Sequence, residues 1–279
     1  IALRTRGGVA LQPADFSLRM EPAAAVSAMQ GNAQGGVRET GRGTSKEFSR
    51  GEFTANALDF QPLAQLAEFL PFPEALRKRL ADTDPRGRVF DLRYTWSGPP
   101  EQPLQYSLRS RFEGLGARAN AGFPGFAGLS GTAEASEKGG SVTLLSRNAT
   151  LEFPGMLIDQ QAVLDTLGGQ VGWRRDNGRL DLKFSNLAFA NPDLAGTLSG
   201  SYEMREGSPG MIDLTGQFVR AEGPRAWRYI PHLPEPVQTY LNAGALAGRS
   251  TDVRLRLKGD LAKFPFEDPK QGIFQVSAK

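Results

Sequence analysis

One long stretch of this sequence occurs twice, and it restricts the possible folds more strongly than any other feature. Residues 52–98 align without a gap on residues 213–259, at a constant offset of 161 positions. Residues of the first copy that are identical in the second include Thr54, Pro73, Glu74, Leu80, Gly87, Arg88, Asp91, Arg93 and Gly98. Repeats of this size are typical of chains built by adding similar units end to end, which form extended surfaces rather than one buried active site.

Apolar and polar residues alternate in several runs, as they do in half-buried β-strands. The clearest run is Val253–Lys258, in which aliphatic residues alternate with cations, and Leu92–Trp96 and Leu180–Phe184 follow the same pattern. Roughly fifteen such strands are predicted, against two or three short helical segments. A sheet of that size must curl, keep a lined groove or pack on a second sheet. The alternation therefore predicts a mainly β fold and, taken alone, favours a β-sandwich.

Three segments have helical spacing instead. Pro62–Ala81 and Pro224–Asn242 occupy matching places in the two copies, and prolines interrupt both. Because proline breaks the interior of a helix, each segment is predicted to form two short helices with a bend. Asp159–Leu167 is predicted as a third short helix, with Asp159 capping its first turn. Residues 22–50, rich in Gly, Ala, Ser and charged residues, are interpreted as a long loop or an irregular edge.

The whole chain, residues 1–279, is interpreted as one repeat-built β region that is a fragment of a longer protein. It has no initiator Met, and it stops within an alternating run, Phe274–Lys279. It contains no run of about 18 apolar residues, so no segment is predicted to span a bilayer.

The composition and the ionisable residues argue against an enzyme, a cofactor or a metal site. The chain has no cysteine, which excludes disulfides, thiolate catalysis and zinc–sulfur sites. Its one histidine, His232, lies in a proline-bent connector, where a surface or packing position is favoured. Glu134, Glu137, Glu203 and Glu206 flank hairpin turns and are interpreted as a solvated rim, not as glycosidase carboxylates. The 33 basic and 30 acidic residues give a net charge of +3 without a basic patch, which argues against nucleic-acid binding.

Five motifs that occur in one order carry a family resemblance. They are Gly122–Gly131, Gly169–Trp173, Asn186–Asp193, Trp227–Pro231 and Leu257–Phe266. Together they resemble the YhdP-type proteins of the AsmA-like family, from about residue 60 to the end of the chain. The resemblance implies an elongated, curled antiparallel β-sheet with an apolar groove, which makes the β-sandwich the alternative fold.

The resemblance also implies a function and a location. It implies a protein anchored in the inner membrane by an N-terminal helix that this chain lacks, with a periplasmic body that bridges the two membranes. The implied role is to move phospholipid toward the outer membrane and maintain its permeability barrier, without catalytic residues. The expected partners are phospholipid acyl chains, the inner membrane, and an unidentified partner at the outer membrane. A periplasmic scaffold with a closed core is the alternative, and an envelope carbohydrate enzyme is a third class.

The alternation selects candidate residues for the groove. Neighbouring residues of a strand point to opposite faces, so one set should line the lipid path and the other should face solvent. The solvent-facing set is Arg93, Asp181, Lys183, Arg254 and Arg256. The candidate groove lining is Tyr94, Trp96, Leu180, Leu182, Phe184, Val253, Leu255 and Leu257.

Overall fold

A single antiparallel β-sheet dominates the structure, a computed structural model. The structure describes residues 15–21, 50–67, 74–100, 102–120, 124–176, 179–205, 207–230, 235–244, 247–264, 266, 268 and 270–278. The sheet has 13 strands, and strands adjacent in the chain are adjacent in the sheet except that β12 follows β10, while the short β11 also pairs with β10. The prediction of a large antiparallel sheet is confirmed. The β-sandwich alternative is wrong, because the described strands form one sheet and make their extensive contacts with sheet neighbours.

The strands are long and ordered along the chain. They are β1 (Phe16–Glu21), β2 (Arg50–Asp59), β3 (Arg86–Ser97), β4 (Gln105–Ala117), β5 (Gly125–Ser136), β6 (Gly139–Glu152), β7 (Gln161–Asp176), β8 (Arg179–Ala190), β9 (Leu194–Arg205), β10 (Ser208–Glu222), β11 (Arg249–Ser250), β12 (Val253–Asp260) and β13 (Gly272–Ala278). At about 4.8 Å between strands, this sheet extends for on the order of 50 Å across its strands.

The helices are short and lie in two connectors. The first connector contains α1 (Phe60–Leu66) and α2 (Glu74–Thr83), and the second contains α3 (Gly223–Ala226) and α4 (Glu235–Gly244). Single 3₁₀ turns cover Trp227–Tyr229 and Leu261–Lys263. The prediction of two short helices in each of Pro62–Ala81 and Pro224–Asn242 is confirmed. No helix of the described residues is long and apolar enough to cross a membrane.

One helix prediction is wrong. Within Asp159–Leu167, β7 begins at Gln161, and every residue from Gln161 to Leu167 except Asp165 pairs with β6, from Gln161 opposite Glu152 to Leu167 opposite Ser146. The buried residues are Ala162, Leu164 and Leu167. Strand pairing and burial beside β6 therefore override the local helical spacing. His232 and residues 22–49 lie outside the described residues.

The two copies of the repeat have the same order of elements. Each copy runs from a strand through a helical connector to an antiparallel strand, β2 to β3 and β10 to β12. The registers differ, because Phe53 pairs with Tyr94 whereas its counterpart Leu214 pairs with Leu257 and not with Leu255. A shift of two residues keeps every side chain on the same face.

One face of the sheet carries a continuous row of apolar and aromatic residues, and we call this side the apolar face. Cross-strand partners have side chains on the same side of a sheet, so the pairing defines the row directly. It runs through Phe53, Tyr94, Leu108, Ala135, Gly140, Trp173, Leu182, Tyr202 and Ile212. The opposite side is called the polar face.

Six consecutive strands, β3 to β8, each contain a residue in left-handed conformation within the strand. These residues are Asp91, Gly114, Gly128, Asn148, Gly169 and Asn186. Pairing shifts register beside most of them, so they behave as β-bulges. Serine hydroxyls accept hydrogen bonds from nearby amides, as Ser130 Oγ does from Gly114 N at 3.1 Å and Ser199 Oγ from Asn186 N at 3.0 Å. Since bulges bend strands and increase their twist, this series curls the sheet.

Candidate functional site

The candidate site is the apolar face. The pairing places all eight candidate lining residues on it: Tyr94 and Leu182 belong to the row above, and Phe184 connects through Gly200 and Leu214 to Leu257. Trp96, Leu180, Leu255 and Val253 occupy alternate positions on the same strands. Arg93, Asp181, Lys183, Arg254 and Arg256 are on the polar face, as the alternation predicts.

The apolar face differs between the two long rims of the sheet. The helix rim is the set of strand ends joined by the two helical connectors, at the end of β2 and β10 and the start of β3 and β12. The hairpin rim is the opposite set of ends, where short connections join β5 to β6, β7 to β8 and β9 to β10. Because the strands alternate in direction, each rim receives alternate connections.

The half of the apolar face beside the helix rim is closed by packing. Ala149, Leu164 and Leu167 form one buried cluster, against which Leu144 and Phe189 pack. A second cluster contains Leu194, Ala221 and Val253, covered by Ala226 and Tyr229 of the second connector. Val253 is only 8% exposed. Of the candidate lining residues, Val253 therefore belongs to a closed core under the connector.

A buried asparagine holds the second connector in place. Asn191 is 2% exposed, and its Nδ2 donates to Val163 O at 2.8 Å and to Tyr229 Oη at 2.9 Å. Its Oδ1 accepts from Asp193 N at 3.0 Å and from Leu194 N at 2.8 Å. Tyr229 Oη in turn donates to Asp193 Oδ2 at 3.0 Å. Burial raises the pKa of the Tyr229 hydroxyl, and the hydrogen bond to Asp193 raises this pKa further.

The sequence analysis did not identify this asparagine network. The sequence indicates a turn between strands at Asn191, Pro192 and Asp193, and the structure has a turn there. The missing information was the docking partner, since Tyr229 lies 38 residues away from Asn191. The one signal in the sequence was the pair of motifs that carry the resemblance, because Asn191 belongs to one and Tyr229 to the other.

The half beside the hairpin rim remains open and carries aromatic side chains. The rings of Tyr94 and Trp96 stack with centroids 5.3 Å apart, and those of Tyr94 and Tyr106 are 6.1 Å apart. Trp96 lies across Gly51 of the neighbouring strand, where any Cβ would overlap the indole ring. Burial raises the pKa of the Tyr94 hydroxyl. Trp96 itself is only 8% exposed, and its indole N–H is buried without a hydrogen-bond partner among the described residues. The accessible rings of this half are therefore those of the half-buried Tyr94 and Tyr106, whose apolar bodies and polar tips suit a boundary between apolar and wet surroundings.

The aliphatic floor of this open half is only partly covered. Leu180, Leu182, Phe184, Leu255 and Leu257 are all half-buried. No described strand or helix is packed over them as a second layer, because the extensive contacts of β8 and β12 are with other strands of the same sheet. A half-exposed apolar surface of this kind can accept an apolar ligand.

The polar face is covered with charged residues in cross-strand pairs. Arg93 Nε lies 2.8 Å from Glu52 Oε1, and Arg109 Nε lies 3.5 Å from Glu134 Oε1. Asp213 binds both Arg256 and Lys258, and the hydrogen bond from Arg256 lowers the pKa of the Asp213 carboxyl. These are surface pairs, which stabilise the fold little but keep this face solvated.

The described carboxylates beside the hairpin turns do not converge on a reaction centre, and Glu206 lies outside the described residues. Glu134 pairs with Arg109 and Glu203 with Arg179, while Glu137 accepts a hydrogen bond from Tyr106 N at 3.2 Å. Backbone hydrogen bonds, from its own amide and from Tyr106, lower the pKa of Glu137. In the part of the chain that the structure describes, no three Asp, Glu or His residues are grouped as metal ligands.

The comparison with known proteins agrees with the sequence motifs. The family model described as YhdP protein matches residues 1–279. No curated protein and no solved structure matches the chain. Because the family model covers the chain from end to end, the chain belongs to the YhdP protein family.

Proposed function

We propose that this chain is a periplasmic segment of a bridge-like protein that moves phospholipid toward the outer membrane and so maintains its permeability barrier. The observation that carries the proposal is the continuous apolar face, which crosses the sheet from strand to strand and stays open along the hairpin rim. Membership of the YhdP family supports a role in lipid transport in the cell envelope. In the full-length protein, an inner-membrane anchor would hold this segment in the periplasm.

The energetics of an acyl chain explain why such a face is needed. Exposing a chain to water costs about 0.8 kcal/mol per methylene, so a sixteen-carbon chain costs roughly 12 kcal/mol. A path for lipid must therefore offer apolar contact without interruption. The row from Phe53 to Ile212 does this across nine strands, β2 to β10, because each strand contributes at least one apolar or small residue.

The direct test is native mass spectrometry of the purified chain after extraction from membranes. The proposal predicts co-purified phospholipid, released when the floor is made polar by Leu182→Asp. Lys183→Asp is the matched control, since residue 183 adjoins residue 182 but lies on the polar face. A wild-type chain that binds no phospholipid, or equal loss of lipid in the two variants, would reject the proposal.

A structural scaffold is the second candidate, and one observation favours it. A depression of about 590 Å³ on the hairpin-rim side is lined by the charged polar-face residues Asp181, Glu203, Asp213 and Lys258, by Lys270 of the connection before β13, and by apolar-face residues that include Leu182, Tyr202 and Ile212. The charged part of this hollow suits a protein partner better than a lipid chain. A scaffold predicts that Lys258→Glu removes a protein partner from cross-linked envelopes while phospholipid is absent from the purified chain.

A further inference from the structure

One charged residue lies on the apolar face of the described strands, and that residue is Arg175. Its position follows from the pairing of β7 with β8, in which Trp173 is opposite Leu182 and Arg175 is opposite Leu180. Arg175 is two residues after Trp173, so both lie on the same face. Apart from Arg175, the paired positions on the apolar face of the described strands are occupied by apolar residues, glycine, serine and tyrosine. A cation on such a face is costly unless it has a counter-charge or reaches water.

Arg175 lies where the apolar face ends, at the hairpin rim. It is exposed, close to the end of β7 at Asp176. Its stem can therefore cover apolar surface while the guanidinium stays at the rim, as arginine does at boundaries between apolar and aqueous regions. The adjacent Trp173 lies across Gly140, so a flat aromatic surface is directly beside it.

The acidic residues nearby are directed to other cations. Glu203 pairs with Arg179, Asp176 is also the cross-strand partner of Arg179, and Asp181 is that of Arg174 on the polar face. Arg175 makes no ion pair with a described residue. Its backbone N–H donates to Lys138 O at 3.0 Å, which brings the turn that carries Lys138 against it. Lys138 is exposed, so this turn carries a second cation at the hairpin rim, next to the carboxylate of Glu137.

We propose that Arg175, assisted by Lys138, binds the phosphate of a phospholipid whose acyl chains lie on Trp173, Leu182 and Phe184. This rests on the proposed function and adds the orientation of the lipid: the headgroup is at the hairpin rim and the chains point toward the closed helix rim. Guanidinium groups bind phosphate oxygens in pairs of charge-assisted hydrogen bonds, which suits the single arginine of the face to this task.

The test compares two lipids that share their acyl chains and differ in the phosphate. Purified wild-type chain is loaded from a mixture of dioleoyl phosphatidylglycerol and dioleoylglycerol, and bound lipid is counted by native mass spectrometry. We expect wild type to favour the phospholipid about tenfold, since charged hydrogen bonds commonly give a preference of that order. Arg175→Gln should abolish the preference without reducing dioleoylglycerol binding, and Arg175→Lys should retain part of it.

The matched control is Arg174→Gln, one residue away on the polar face, which should keep the wild-type preference. A preference retained in Arg175→Gln, or lost equally in Arg174→Gln, overturns the assignment while leaving lipid binding intact. Binding of neither lipid by wild type would instead overturn the proposed function and this inference with it.

Glycerophosphate and inorganic phosphate are added as competitors. Full displacement of the phospholipid by either at millimolar concentration would show a site for free phosphate and overturn the lipid assignment.

Discussion

At the scale of single residues, the shape of the sheet depends on side chains that tolerate left-handed backbone or satisfy buried polar groups. Asn148 and Asn186 have φ values of 54° and 48° in the middle of long strands. Asparagine tolerates this region better than branched residues do, because its short polar side chain can bond locally. Glycine tolerates it best. The bends that curl the sheet therefore depend on residue types that would be unfavourable elsewhere in a strand.

Asn148 provides a test of this dependence. Asn148→Val should lower the free energy of unfolding by about 1–2 kcal/mol, because a branched residue is strained at positive φ. Asn148→Gly should change it by less than about 0.5 kcal/mol. Urea unfolding measures both, with Thr143→Val, an exposed site on the same strand, as the control for adding valine. Equal stability of the two valine variants would contradict the role of the left-handed bend.

Tyr229 makes stability depend on alkaline pH. Its folded-state pKa is raised, so its contribution is complete below the unfolded pKa of about 10 and is lost as pH rises through the raised value. The free energy of unfolding should therefore fall as the pH rises above about 10, and less steeply in Tyr229→Phe. Part of the decline should remain, since the pKa of Tyr94 is also raised. Urea unfolding at several pH values measures the decline. Tyr240→Phe, at an exposed position, is the control and should show the wild-type decline. An unchanged slope in Tyr229→Phe would refute the prediction.

At the scale of elements, alternation in the sequence predicted most of the strands and their facing. The prolines predicted the broken helical connectors. Strand facing and helix breaks could both be predicted because each follows from a steric rule that acts within a few residues. The exception was Asp159–Leu167, where a capping aspartate and helical spacing suggested a helix. Thirteen residue pairs between β6 and β7 outweigh that local preference. Long-range pairing of this kind is not visible in a short window of sequence.

The strand character of this segment can be tested by two neighbouring substitutions. Leu164 is 6% exposed and Val163 is 52% exposed, because they lie on opposite faces of β7. Leu164→Ala should lower the free energy of unfolding by about 2–4 kcal/mol, whereas Val163→Ala should cost less than about 1 kcal/mol. Chemical denaturation measures the difference. Similar losses at the two sites would mean that the alternation of β7 is wrong.

At the scale of the whole molecule, the sheet is a curled layer with one rim closed and one rim open. The side of the sheet on which each candidate residue lies could be predicted from alternation alone. The burial of Val253 could not, because it depends on the second connector docking through Asn191. The position of Arg175 could not either, since it requires the register of β7 and β8. The division into a closed and an open half thus arises from contacts between distant segments.

The open half makes the central claim testable in cells, because adjacent residues lie on opposite faces. A photo-crosslinking amino acid at Leu182 or Leu255 should capture phospholipid, whereas the same amino acid at Lys183 or Arg254 should not. Mass spectrometry of the crosslinked protein gives the fraction modified at each position. A conduit predicts phospholipid adducts confined to the two apolar-face positions. Equal adduct formation at all four positions, or none at any, would contradict a lipid path along the apolar face.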